Sequence, residues 1–245
     1  MRKLRGALAA MLVLAGVALC ARLGLWQLSR WHQKQALNAR LRAAEGMPPL
    51  EVAAPPPPYA AVRGRYLQVR GRFDEGHQVV IGGHVREDTP GVEVITPLVL
   101  ADGSAVLVNR GWIPVAVAGP VSLAPYDEPG ERRVIGYPES LATGRRGPPL
   151  VARATPGGEV FWSRDLDLDS LAVRLPYHLV SYDLRQAPGA GVPARPLRAR
   201  PEPLDEGMHL GYAIQWFSFG SILLGGSIWL AWQRRRAVAP GAKPD

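Results

Sequence analysis

Cysteine and closely spaced histidine are what this sequence lacks most clearly. It has a single cysteine, Cys20, which lies in an apolar run near the N-terminus. One cysteine forms no disulfide framework within a chain, and it leaves no CxxC or CxxxC pair of the kind that a copper carrier uses. The histidines are dispersed along the chain, at His32, His77, His84, His178 and His209. The spacing of these residues argues against a metal site made of several thiolates or imidazoles.

The motifs of several enzyme classes are also missing. The sequence contains no GxSxG elbow, no Walker phosphate loop and no HExxH pair. Asp165, Asp167 and Asp169 alternate, but that spacing on a helix does not converge on one ion. We interpret them as solvated acids at a helix N-terminus, where the helix dipole favours negative charge. We therefore predict that the chain is not an enzyme, and a membrane-anchored enzyme is kept only as a minor alternative.

Lysine is scarce, with only Lys3, Lys34 and Lys243, so the net charge of +8 comes almost entirely from arginine. This preference is typical of a GC-rich bacterial genome. The arginines are scattered in ones and twos, without a basic stripe interleaved with aromatics. Nucleic acid is therefore not a predicted partner. A basic protein beside an anionic bilayer explains the charge more simply, and membrane lipid is the predicted contact.

Long apolar runs are confined to the two ends of the chain. Residues 6–28 contain one charged residue, Arg22, and residues 210–232 contain none. At about 1.5 Å per residue, each run is long enough to cross a hydrocarbon layer of about 30 Å. The sequence predicts transmembrane helices at residues 6–28 and 210–232, followed by a tail at 233–245. A cleavable signal peptide is the alternative for the first run, because basic residues precede it.

The flanking charges give a weak indication of orientation. Basic residues precede the first run, and Arg234, Arg235 and Arg236 follow the second, which favours cytoplasmic termini. Arg30 and Lys34 on the opposite side weaken this indication. We predict a two-pass protein of a bacterial inner membrane, with residues 29–209 in the periplasm.

Small residues recur at four-residue spacing in both runs. They are Gly16, Cys20 and Gly24 in the first run and Ser221 and Gly225 in the second. Such faces allow helices to approach closely in lipid, although glycine is also simply common in membrane helices.

The segment between the apolar runs has a β-like pattern. Alternation or β-branched runs predict strands at residues 66–73, 79–81, 92–98, 105–108, 133–137 and 160–162. Turn residues separate the early strands at 82–83, 89–91 and 102–103. Helical spacing continues from the first run through residues 30–42 and recurs at residues 165–175, with Ser163 as a candidate N-cap.

Proline-rich stretches predict the irregular parts, a linker at residues 55–58 and loops at 143–149 and 187–203. The predicted fold class is α+β: an antiparallel β-rich sheet or small barrel flanked by the two transmembrane helices.

His209 differs from the other histidines because it lies one residue before the uncharged run. Ala213, Trp216 and Gly220 lie on roughly the same helical face, and Tyr212 is beside it. A neutral imidazole among aromatic and small residues can be an axial ligand to haem iron. A histidine that only hydrogen-bonds at the headgroup level is the commoner alternative, and the spacing alone leaves both open.

Several ordered motifs resemble the surfeit locus protein one family, the assembly factors of haem-copper cytochrome c oxidase. They read LGLWQLSR at residues 23–30, GRF at 71–73, TPL at 96–98, VLVNRGWIP at 106–114, FWSRD at 161–165 and HLGYAIQWF at 209–217. Within the VLVNRGWIP motif, Arg110 is interpreted mainly as a structural residue that pairs with a carboxylate. The alternative is a contact with the oxidase or with a haem propionate.

The resemblance implies a role in supplying haem a to the catalytic subunit of the oxidase. It implies that His209 is the ligand to the haem iron, that Trp216 is a weaker contact to the porphyrin, and that haem a is bound transiently. The catalytic subunit is then the implied partner, and haem a synthase is a second candidate. A scaffold without a cofactor, which stabilises intermediates of oxidase assembly, is the alternative function.

Overall fold

The computed structural model describes residues 2–115, 122–141, 150–155 and 158–237. The predicted loop at 143–149 and most of the predicted tail lie outside these residues. The chain divides into two compact units, one made of Met1–Ala39 with Pro203–Asp245 and the other of Arg40–Glu202.

The first unit consists of two long helices that contain the predicted spans. Helix α1 runs from Arg2 to Glu45, so the predicted helical continuation at 30–42 is confirmed and the helix does not end with the apolar run. The C-terminal helix, labelled α4 below, runs from Gly207 to Ala237. By length and composition, both are candidates to span a membrane.

The two helices pack antiparallel along the small face predicted in α1. A Cβ atom built on Gly24 would lie 2.7 Å from the Phe217 ring, and one on Gly16 would lie 2.9 Å from the Leu223 side chain. Between these contacts, a Cβ on Gly220 would lie 3.3 Å from that of Cys20. The glycines are therefore needed for close approach of the helices.

The small residues singled out in α4 do not face α1. A Cβ on Gly225 would meet nothing within 4 Å, and the Ser221 hydroxyl donates to the Phe217 carbonyl of its own helix at 2.9 Å. The face of α4 toward α1 instead contains Ala213, which is buried, and Gly220. Four-residue spacing marks small residues on a helix but does not say which face meets the partner.

The second unit is a nine-stranded sheet with two short helices, α2 (Tyr59–Val62) and α3 (Leu168–Ala172). The strands are β1 (Leu50–Val52), β2 (Leu67–Phe73), β3 (Val79–Arg86), β4 (Thr89–Val99), β5 (Ala105–Pro114), β6 (Glu131–Ser140), β7 (Val151–Thr155), β8 (Gly158–Ser163) and β9 (Leu179–Gln186). Their order is β1-β2-β6-β9-β5-β4-β3-β8-β7.

An additional pairing of β2 with β4 closes five of the strands into a barrel of β2, β6, β9, β5 and β4. Gly71 permits this closure, because a Cβ there would lie 2.4 Å from the Val99 carbonyl oxygen. One hydrophobic cluster takes side chains from all five strands, among them Leu67, Val106 and Leu184. The predicted α+β fold class is confirmed. Most pairs are antiparallel, whereas β1–β2, β3–β8 and β5–β9 are parallel.

Two of the three predicted turns are wrong. Residues 82–83 lie inside β3 at an irregularity in its pairing with β4, and residues 89–91 begin β4. The turn between these strands is made by Glu87 and Asp88, both with positive φ. Gly91 serves packing instead, since a Cβ there would lie 2.2 Å from the Trp112 indole. The turn at 102–103 is confirmed, with the Asp102 carboxylate accepting from the Ser104 amide at 3.0 Å.

The helix predicted at 165–175 is shorter than expected. Helix α3 begins after Asp167, which is its N-cap residue, whereas Ser163 ends β8 and caps nothing. Asp165 and Asp169 are exposed while Asp167 is buried, so the three acids do not converge. Within the described residues, no group of three or more candidate metal ligands is found.

Candidate functional site

His209 lies in the first turn of α4, at the end where the helix meets α1. The turn begins at Gly207, whose amide donates to the Asp205 carboxylate at 2.9 Å. This bond satisfies one of the amides that a helix leaves without a partner at its N-terminus.

A set of hydrogen bonds from α1 holds the chain just before His209. The buried Asn38 amide donates to the Leu204 carbonyl at 2.8 Å and to the Glu206 carboxylate at 2.6 Å, and its oxygen accepts from the Leu204 amide at 2.8 Å. Lys34 donates to the Asp205 carbonyl at 2.9 Å. Residues 204–206 are therefore fixed against α1 by four hydrogen bonds, and we call this set the polar clamp.

His209 itself contacts Gln27, a residue of α1 that is 182 positions away in the chain. The imidazole Nδ1 lies 2.6 Å from the Gln27 side-chain oxygen Oε1. An amide oxygen can only accept, so with this oxygen facing the ring, a neutral imidazole makes the hydrogen bond when its proton is on Nδ1. The other ring nitrogen, Nε2, then keeps its lone pair, which is the form in which imidazole binds a metal.

The structure places Trp216 on the same helix as His209 but roughly 10 Å further along the axis. Its ring is half-buried and packs edge-on against Phe219, with ring centroids 6.1 Å apart. Tyr212 and Trp26 are exposed, so aromatic surface is present on both helices near His209. The helical face predicted for His209 is also the face that meets α1, because Ala213 is only 2% exposed.

The residues around His209 suit a haem better than a bare metal ion. A bare ion needs several protein ligands, and no such group occurs in the described parts of the chain. A haem brings four nitrogens of its own, so a single imidazole such as that of His209 would be able to hold its iron. The exposed aromatic side chains of Tyr212 and Trp26 are suited to contact a porphyrin face.

Arg110 is buried inside the β-rich unit and is not available for a surface contact. Its side chain is fully buried in β5, stacks on the Phe73 ring at 4.8 Å, and donates to the Tyr126 carbonyl. It forms an ion pair with Glu128 at 2.7 Å. The interpretation of Arg110 as a structural residue is supported, and its burial argues against a contact with a propionate or with the oxidase.

Glu128 also pairs with a second buried arginine from the long loop that follows β9. The same carboxylate oxygen accepts from Arg198 at 2.6 Å, and Arg198 donates further to the Pro193 and Pro196 carbonyls at 2.9 Å each. Burial and the nearby Arg110 charge lower the pKa of Arg198, although Glu128 opposes this. This network of one carboxylate and two guanidiniums fixes the loop to the barrel.

Gly111, the residue after Arg110, adopts a φ of +108° beside this loop. A Cβ there would lie 2.3 Å from the Leu197 carbonyl oxygen. Its neighbour Trp112 exchanges two backbone hydrogen bonds with Leu197, at 3.0 and 2.7 Å. The NRGW block therefore has a structural role, in which glycine allows the loop to dock on β5.

A polar cleft of about 340 Å³ lies on the barrel and includes Asp183, Arg185, Glu93 and Glu139. Arg185 lies between the two glutamates, 3.0 Å from Glu139 and 3.7 Å from Glu93. Burial, followed by the charge of Glu139, raises the pKa of the Asp183 carboxyl to about 7. Asp183 was not singled out by sequence reasoning, because a single acid in an alternating strand has no distinguishing pattern.

Comparisons with known proteins give a consistent result. A family model described as the SURF1 family matches residues 14–221, which is more than half of the chain and includes both Gln27 and His209. A SURF1-like protein of Monosiga brevicollis is 30% identical over 233 residues, which is 90% of this chain and 86% of that protein.

Vertebrate relatives match at somewhat lower identity. Surfeit locus protein 1 of Xenopus tropicalis is 25% identical over 80% of this chain and 66% of its own length. The Homo sapiens protein of the same name is 24% identical over 81% of this chain and 69% of its own length. The chain thus spans about two thirds of the length of these two relatives.

Proposed function

Because the chain belongs to the SURF1 family, a family of cytochrome c oxidase assembly factors rather than of enzymes, we propose that it binds haem a and assists its insertion into the catalytic subunit of the oxidase. The observation that carries this proposal is His209, whose Nδ1 lies 2.6 Å from the Gln27 side-chain oxygen. With the imidazole proton on Nδ1, Nε2 would be the nitrogen that binds iron. Haem a is the redox group that the oxidase requires, and this chain binds and releases it without catalytic turnover.

The proposed location follows from the two helices. Both are apolar enough to span a membrane, and they pack antiparallel, so the two termini lie on the same side. We place the protein in a bacterial inner membrane, with both termini in the cytoplasm and the β-rich unit in the periplasm. His209 and Gln27 then lie at the periplasmic boundary of the hydrocarbon layer, since each is at that end of its apolar run.

The residues of the chain have separate tasks in this proposal. His209 binds the iron, and the polar clamp holds the start of α4 so that the imidazole is oriented before haem arrives. Trp216, further along the helix, packs against the porphyrin as a weaker contact. Within the described residues, His209 is a single candidate ligand and not part of a closed set of ligands, which suits transient binding and transfer to the catalytic subunit. Haem a synthase is the second proposed partner, because it is the enzyme that makes this haem.

The first experiment is a spectrum of the purified protein. The full chain is expressed in a host that makes haem a, purified in mild detergent, and compared with His209→Ala by reduced-minus-oxidised difference spectroscopy. The control is His32→Ala, which removes an exposed histidine from α1. We expect a haem a band in the wild type and in His32→Ala that is lost or shifted in His209→Ala.

Three other outcomes would contradict the proposal. Folded protein without haem in any of the samples would leave the scaffold function as the better explanation. A full, unshifted band in His209→Ala would show that iron is bound by another residue. Turnover of any substrate would show that the chain is an enzyme.

A further inference from the structure

We propose that Gln27 is a positioning residue for His209: its side-chain oxygen holds the imidazole proton on Nδ1 and thereby keeps Nε2 as the iron-binding nitrogen. This inference rests on the proposed haem-binding function, but it makes a claim about the apoprotein that can be measured without haem. It also assigns a role to a polar side chain at the end of an apolar run, a position where polar residues are expensive.

The contact between His209 and Gln27 can determine which nitrogen of the imidazole carries the proton. Nδ1 of His209 and Oε1 of Gln27 are 2.6 Å apart, and both side chains are half-buried. A neutral imidazole has one donor and one acceptor nitrogen, and the partner of one nitrogen decides the state of the other. An amide oxygen at Nδ1 forces the proton there. If the amide group were reversed, its NH₂ would donate to Nδ1 and the proton would move to Nε2, which could then not bind iron.

Contacts on both sides of the pair hold the two helices in position. Toward the β-rich end of α1, the polar clamp fixes residues 204–206 to Lys34 and Asn38. On the other side, Gly24 lets the Phe217 ring pack directly on α1. Gln27 is three residues from Gly24 and so lies on the same face of the helix. The approach of Gln27 to His209 is therefore imposed by the packing of the helix pair, and it does not depend on a freely rotating surface side chain.

The interaction has a known counterpart in the general chemistry of metal sites. Histidine ligands commonly donate their second N–H to a carbonyl or a carboxylate, which fixes the ring and makes the ligating nitrogen more basic. Loss of such a partner typically weakens metal binding by about 10–100-fold. We expect Gln27→Leu to weaken haem binding by that factor while His209 remains in place.

The decisive measurement is the tautomer of His209 in the full-length apoprotein. The chain is labelled with ¹⁵N-histidine, produced in a host without haem a, and placed in detergent at a pH where the imidazole is neutral. Nitrogen resonances are assigned by their loss in His209→Ala. We expect the Nδ1–H pattern in the wild type and in Gln27→Glu, which keeps an acceptor, and a shift toward Nε2–H in Gln27→Leu. Gln33→Leu is the control, because Gln33 is an exposed glutamine on the same helix that bonds only within α1.

A second readout uses the haem-loaded protein. A carboxylate accepts more strongly than an amide and makes the imidazole more electron-donating, so Gln27→Glu should lower the midpoint potential of the haem. A purely structural role for Gln27 would not explain why Gln27→Glu keeps the Nδ1–H pattern and lowers the potential while Gln27→Leu loses that pattern and binds haem more weakly.

The outcomes separate the two proposals. An unchanged tautomer in Gln27→Leu, or an Nε2–H pattern in the wild type, overturns the role of Gln27 whether or not haem binds. An unshifted haem spectrum in His209→Ala overturns the proposed function, and the apoprotein measurement still decides what Gln27 does to the imidazole. Loss of the Nδ1–H pattern together with weaker haem binding in Gln27→Leu supports both.

Discussion

Replacing Glu128 by glutamine should strongly destabilise the β-rich unit. The Glu128 carboxylate pairs with both Arg110 and Arg198, whose side chains are 0% and 2% exposed. Its neutralisation removes the carboxylate that both buried guanidiniums contact. Breaking a buried ion pair by removing one partner costs about 3–5 kcal/mol. A glutamine oxygen can still accept one of the hydrogen bonds, but it carries no charge. We therefore expect Glu128→Gln to cost about 3–5 kcal/mol, a large fraction of the about 5–15 kcal/mol that stabilises a typical domain.

An exposed pair in the same unit provides the matched control. Glu51 and Arg70 are 3.5 Å apart, and their side chains are 68% and 62% exposed. Solvent screens such a pair, so Glu51→Gln should cost no more than about 1 kcal/mol. The two variants make the same chemical change, one at a buried carboxylate with two arginine partners and the other at an exposed carboxylate with one.

The assay is pulse proteolysis of the full-length protein in detergent across a urea series, with the intact fraction measured at each concentration. With a dependence of about 2 kcal/mol per molar urea, Glu128→Gln should lower the midpoint by about 2 M and Glu51→Gln by less than about 0.5 M. A midpoint for Glu128→Gln within about 0.5 M of the control would refute the view that this carboxylate compensates two buried charges.

Two further predictions follow from other parts of the chain. Asp183 keeps its proton in the folded protein up to a pH of about 7, while the unfolded chain releases it near pH 4. The folded state thus binds more protons in this window, so the stability contribution of this group is lost as pH rises from about 4 to 7, at roughly 1.4 kcal/mol per unit of pKa difference. Asp183→Asn should remove this dependence, and an unchanged slope of urea midpoint against pH would contradict the assignment. In the helix pair, Gly24→Ala should cost about 1–3 kcal/mol through overpacking against Phe217, because its Cβ would lie 2.7 Å from the ring. The melting temperature of the helical signal in detergent should fall for this variant but not for Gly225→Ala, where the Cβ meets nothing.

Local patterns were sufficient for the elements that local interactions define. The two apolar runs predicted both long helices, and the alternation in residues 66–73 predicted the strand that became β2, with Leu67 and Val69 on its buried face. The hairpin of β4 and β5 followed from the Asp102–Gly103 turn. These signals are short in range, so they are visible in the sequence without knowledge of the rest of the fold.

The sequence did not reveal the features that depend on distant partners. Strand β9 was missed, although its residues alternate, because it pairs in parallel with β5 and no hairpin turn marks it. Closure of the barrel depends on the approach of Gly71 to Val99, and the glycines at residues 82–83 and 91 were misread as turns for the same reason. A glycine needed for packing and a glycine needed for a turn are identical in sequence.

The candidate site also combines a feature that local sequence predicts with one that depends on a distant partner. His209 could be singled out by its position one residue before an uncharged run, beside aromatic and small residues on the same helix. Gln27 has the same kind of position at the end of the other run and was noted only as part of a family motif. What joins them is a contact 182 residues apart in the chain, which requires the helices to pack on one particular face.

The orientation of the proposed ligand His209 therefore depends on how the two long helices pack. Gln27 reaches His209 only if the helices approach closely, and the close approach depends on Gly24 and Gly16 meeting large side chains of α4. The polar clamp acts at the other end, where Asn38 bonds both the carbonyl and the amide of Leu204, three residues before α4 begins. A small residue in α1 thus affects a hydrogen bond to the imidazole one turn away. Substitutions of Gly16 or Gly24 on this face of α1 should alter haem binding although neither residue contacts the haem. Equally conservative substitutions of Gly225 in α4 should leave haem binding unchanged.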